Sequence, residues 1–79
     1  MKIQEFIDNY LDFSRETDII FNLGRTADGI DYDSLIDIIR ESCKEVAEDY
    51  ADEDGEINEV NYRDFDDDLM FTINEKISL

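Results

Sequence analysis

The stretch Tyr32 to Tyr50, YDSLIDIIRESCKEVAEDY, decides the fold. Its apolar residues Tyr32, Leu35, Ile36, Ile39, Cys43, Val46, Ala47 and Tyr50 recur in steps of three and four. That period is helical. Asp31 or Asp33 supplies a side-chain cap for the start. Asp37, Arg40, Glu41, Lys44, Glu45, Glu48 and Asp49 fall on the outer face. A helix over 32–50 with one apolar side needs neighbours to cover it, so the flanking segments set the fold class.

Upstream, residues 2–13 place Ile3, Phe6, Ile7, Tyr10 and Leu11 at helical spacing, with Asp8, Asn9 and Asp12 opposite. The spacing predicts a short amphipathic helix whose apolar side joins the core. Residues 17–23, TDIIFNL, carry two readings. Ile19, Phe21 and Leu23 alternate as in a strand. Thr17 as a cap and Gly24 as a left-handed terminus favour a short helix, which we adopt. Residues 24–31 form a loop marked by the Asp28-Gly29 pair.

Downstream, residues 51–59 make a polar loop around Asp54-Gly55, with Ile57 and Val60 tucked beneath it. Tyr62, Phe65, Leu69, Met70, Ile73 and Ile77 then step by three and four, predicting a last helix over about 61–76. Asn61 and Asp64 match an N-cap pair. A terminal strand over 70–79 competes, because Phe71, Ile73, Glu75 and Ile77 alternate. The expected fold is all-α, a compact three- or four-helix arrangement in a single domain over 1–79. The alternative is α+β with a small terminal strand pair.

Length and composition bound the rest. Seventy-nine residues hold one domain and a small core. Hydrophobic residues make up 42% and nine residues are aromatic, enough for a folded chain. The single Cys43 excludes an internal disulfide. The N-terminal apolar residues are broken by Glu5, Asp8 and Asp12, unlike a signal peptide, and no run reaches membrane-spanning length. The expected location is the cytoplasm.

Charge is the strongest functional signal. The chain carries −16 in all. Residues 45–68 hold twelve carboxylates against Arg63 alone, or −11 in 24 residues. Nucleic acid and anionic lipid are repelled by such a chain, whereas a basic protein is attracted. Acids gather at the C-terminal end of the 32–50 helix, where the helix dipole disfavours them. That local conflict is the kind found at functional surfaces. The candidate partner-binding residues are Glu48, Asp49, Tyr50, Asp52, Glu53, Asp54, Glu56, Glu59, Tyr62, Asp64, Asp66, Asp67 and Asp68. Tyr50 and Tyr62 flank the acidic loop as candidate interface anchors.

Catalysis has little to stand on. There is no histidine, Cys43 lies on an apolar stripe, and the serines lack triad partners. No cofactor motif is present. DEDGEINEVNYRDF (Asp52 to Phe65) resembles an EF-hand loop with Gly55 at its sixth position. In that register Tyr50 takes the first ligand position and Asn61 the twelfth, so two ligands are missing. No specific metal site is expected; a degenerate calcium module remains an alternative.

The block YADEDGEINEVNYRDFDDD, the −16 charge, the short length and the lack of histidine and proline carry a resemblance. The chain resembles small acidic inhibitors encoded by bacterial viruses, including DNA-mimic, anti-CRISPR and other host-takeover proteins. DFDDDLMFTINEKISL is similar to the acidic helix-bearing terminus of one anti-CRISPR type. In size, helicity and acidity the chain also resembles nuclease-colicin immunity proteins. The resemblance implies a non-enzymatic inhibitor in a host bacterial cytoplasm. Its partner would be a basic, nucleic-acid-handling protein bound through charge mimicry. The alternative is a host-takeover protein that binds transcription or cell-division machinery through an apolar face.

Overall fold

The computed structural model describes residues 1–78. Four α-helices follow in order: α1 Ile3–Tyr10, α2 Phe13–Leu23, α3 Tyr32–Tyr50 and α4 Tyr62–Ser78. A 3-10 turn, Gly24–Ala27, joins α2 to α3. The fold is all-α, and no strand occurs among the described residues. One isolated antiparallel bridge links Lys2 to Glu56.

α3 has the predicted bounds. Asp31 starts it, its carboxylate accepting from the Ser34 N–H at 3.1 Å. Hydrogen bonding from Ser34 holds that carboxyl below the usual aspartate value. α4 starts as its N-cap pair predicts, with Asn61 Oδ1 accepting from the N–H groups of Arg63 and Asp64 at 3.0 and 3.4 Å. The terminal strand is overturned: 70–78 is the continuation of α4, and Leu79 lies outside the described residues. Phe71 alternates with Ile73 in sequence, yet it points outward and is 65% exposed.

The N-terminal half differs from expectation in one respect. The helix foreseen over 2–13 stops at Tyr10, and α2 begins at Phe13 rather than near Thr17. No proline or glycine causes the break. Asp12 turns to an extended backbone and accepts from the Arg15 N–H at 2.8 Å, capping α2. Leu11 is buried at the corner. Thr17 caps nothing; its hydroxyl donates to the Phe13 carbonyl one turn back. Gly24 ends α2 with a φ of 53°, a backbone that side chains disfavour. The segment after it opens as a 3-10 turn rather than a plain loop.

α3 packs on α1 and α4, while α2 rests mainly on the 3-10 turn that follows it. The core gathers around Phe65, which is wholly buried. Phe65 meets Phe6, Tyr10 and Tyr50 edge to face, with centroids at 5.0, 4.8 and 5.3 Å. Leu69 and Ile73 continue its stripe along α4. Burying each such side chain contributes roughly 1.5–3 kcal/mol. One charged side chain is nearly buried: Glu16, which receives a hydrogen bond from Arg40 at 3.0 Å and ties α2 to α3.

Only one narrow stripe of α4 is apolar, which leaves the rest of its surface free to carry acids. Ile57 is buried under the acidic loop and Val60 is half-buried, as expected.

Candidate functional site

The acidic segment is continuous in sequence, but its carboxylates are not all used alike. It divides into three environments, set by the elements that carry each carboxylate.

The first is the loop. Gly55 takes a φ of 76° and lets the chain turn back on itself. The Asp52 carboxylate accepts from the N–H groups of Asp54 and Glu56 at 3.0 and 2.9 Å. The Asp52 N–H in turn donates to the Glu56 carbonyl at 2.9 Å. Glu56 is clamped by cations from the start of the chain. The Met1 amine and Lys2 Nζ both lie 2.9 Å from its carboxylate. The Ile57 N–H donates to the Met1 carbonyl at 2.7 Å, which adds a backbone tie. Hydrogen bonds from the Met1 amine and from Lys2 hold the Glu56 carboxyl below its ordinary value. The Lys2 ammonium is raised by the same bond. Asp52 and Glu56 thus hold the loop together. Glu53, Asp54 and Glu59 are exposed and make no ion pair among the described residues.

The second environment lies where the end of α3 meets the start of α4. The Tyr50 hydroxyl donates to Asp68 at 2.7 Å. That bond, with burial and the nearby charges of Asp68, Asp64 and Asp49, pushes the phenol up to about 12. The phenol bonds Asp68 on α4 and feels the charges of Asp64 on α4 and Asp49 on α3. Glu48, Asp49, Asp64, Asp67 and Asp68 are all exposed, and none is ion-paired among the described residues. The last turn of α3 holds no base, so the unfavourable dipole at Glu48 and Asp49 is uncompensated within the helix. Asp64, Asp67, Asp68, Phe71 and Glu75 are spaced by three and four along α4, on the side away from Leu69 and Ile73.

The third environment faces α2. Asp66 is half-buried and accepts from Arg15 Nη1 at 3.3 Å. Burial, and then the charge of the neighbouring Asp67, lift its carboxyl above the usual value. Arg15 also lies over the Tyr10 ring, 4.1 Å from its centroid.

The two tyrosines part company. Tyr50 belongs to the acidic junction. Tyr62 packs parallel to Phe6 and Tyr10, with centroids at 6.4 and 6.1 Å, on the side facing α1. Residues overlooked in the sequence are Phe13, Phe21 and Phe71, which are 77%, 83% and 65% exposed. Phe13 and Phe21 stand eight apart on α2, with Thr17 between them on the same side. That spacing would have signalled an outward stripe had α2 been started at Asp12.

Cys43 is a free, buried thiol, and burial pushes it up to about 12, so no thiolate forms near neutral pH. Among the described residues, no group of His, Cys, Asp or Glu is arranged to hold a metal ion, and Asp52 already spends its carboxylate on the loop backbone. No described helix is long and apolar enough to cross a membrane. Compared with known proteins, the chain matches no family model, no curated protein and no solved structure.

Proposed function

We propose that this protein is a non-enzymatic inhibitor of a basic, nucleic-acid-handling protein, bound through carboxylates that stand in for phosphates. One observation carries the reading. Asp49, Asp64, Asp67 and Asp68 lie exposed on the α3–α4 junction and outer α4, and none is ion-paired among the described residues. Four helix-mounted carboxylates at fixed spacing present anions as a nucleic-acid backbone does, and a groove of Lys and Arg would accept them. Their mutual repulsion weakens the free domain and is relieved when a cationic surface covers them. The phage origin and bacterial host location belong to this proposal.

A second reading is a host-directed protein that docks on a non-nucleic target by apolar contact. The exposure of Phe13, Phe21 and Phe71 favours it.

The two separate in an affinity capture from bacterial lysate at low and high salt, with the bound protein identified by mass spectrometry. The first reading expects a basic, nucleic-acid-binding protein that is released by high salt. Retention at high salt, with release by Phe21→Ser and Phe71→Ser, would support the second and sink the first.

A further inference from the structure

An open groove of about 350 Å³ lies between α2 and α4. That is near the lower end of the roughly 300–1,000 Å³ typical of ligand sites, room for a side chain or two. Its apolar lining comes from Tyr10, Ile19 and Leu69, which are buried, and from Met70, which is half-buried. Its rim is anionic, with Asp12 and Asp18 along α2 and Asp66 on α4. Arg15 is the single cation lining it.

The position of Arg15 shows what the groove accommodates. Its guanidinium lies over Tyr10 and its Nη1 reaches Asp66. An aromatic face and a carboxylate already share one guanidinium there. Three carboxylates face that one charge, and Asp18 has no ion-pair partner among the described residues.

We propose that this groove receives an arginine or lysine side chain of the basic partner, its alkyl stem on Leu69 and Met70 and its head group against Asp18 and Asp66. The inference rests on the basic-partner reading above and names a subsite for it. Arg and Lys combine an apolar stem with a charged tip, which matches an apolar lining with an anionic rim. A purely apolar segment would desolvate Asp18 without a partner, which is costly. A second copy of this chain would bring a further charge of −16 and is repelled.

The probe is a short amphipathic helical peptide of Arg, Leu and Ala, with a Gln-for-Arg peptide as its control. Binding is followed by chemical-shift titration and fluorescence anisotropy on the wild-type chain and on variants checked by circular dichroism. The Arg peptide should bind saturably, with shifts at Asp18, Ile19, Leu69 and Met70, while the Gln peptide does not. Asp18→Arg should weaken binding about tenfold or more, and Ser14→Trp, which fills the groove from α2, should do the same. Asp37→Arg makes the same charge change on α3, away from the residues that line the groove and from outer α4, and should weaken binding by less than about twofold. Equal losses in Asp18→Arg and Asp37→Arg would overturn the groove and leave the broader basic-partner reading standing. Absence of saturable binding, or shifts confined to the outer face of α4, would also overturn it.

Discussion

The acidic loop and the outer face of α4 are both rich in carboxylates, and the fold uses them differently. Asp52 in the loop accepts two backbone N–H groups, and Glu56 is held by the Met1 amine and Lys2. These carboxylates are consumed in building the structure, as is Glu16 beneath Arg40. Among the described residues, Asp64 and Asp67 on α4 receive no ion pair and no bond to their carboxylates, and Asp68 receives only the Tyr50 hydroxyl. Their negative charge remains available to a partner. Acidity alone therefore does not mark the proposed binding surface; under the basic-partner proposal that surface is drawn from the acids that the fold leaves unspent.

That division is exposed to test by substitution. Arg40→Ala should have the largest effect, because it strands the nearly buried Glu16. A loss of about 1–3 kcal/mol is expected in chemical unfolding. Asp52→Ala should come next, at about 1 kcal/mol, since it removes the acceptor for two loop N–H groups. For a domain of this size such a loss lowers the melting temperature by about 4–8 °C. The triple change of Asp64, Asp67 and Asp68 to Asn should shift stability by no more than about 0.5 kcal/mol. A triple variant less stable than Asp52→Ala would erase the distinction.

Proton linkage sharpens the same contrast. The folded Glu56 carboxyl titrates below its ordinary value of 4.5, so its stabilising contribution is complete above that pH. It is lost as pH falls through the folded value. Asp66 is raised above 3.8 and works in the opposite sense: holding its charge costs stability, and that cost is relieved on acidification. Melting curves against pH should therefore show a smaller acid loss for Glu56→Gln than for wild type, and a larger one for Asp66→Asn. At the alkaline end, Tyr50 titrates at about 12 instead of 10.0. Its contribution is present below pH 10 and lost as pH rises through the folded value. Tyr50→Phe should remove that alkaline step together with the modest stability that the bond to Asp68 supplies at lower pH.

Much of this was legible in the sequence. α3 was readable to the residue because a cap and an unbroken apolar period agree. α4 was readable for the same reason, once Phe71 is recognised as an outward residue that imitates strand alternation. The corner at Leu11 and Asp12 was not, because the apolar pattern of α1 runs on through it and no glycine or proline marks the break. The acidic surface was legible as a composition but not as a geometry. The clamp on Glu56 joins residues 55 apart, and Arg15 meets Asp66 across 51. No local pattern encodes pairings at that separation.

The central claim is that the unspent carboxylates of α4 are the binding determinant. The most direct measurement is the dissociation constant of the captured partner against salt, for wild type and for the Asp64, Asp67 and Asp68 to Asn triple variant. The account predicts at least about tenfold weaker binding at low salt and a shallower salt dependence, with the melting temperature moved by no more than about 4 °C. Equal affinity and an equal salt slope in a folded triple variant would contradict it.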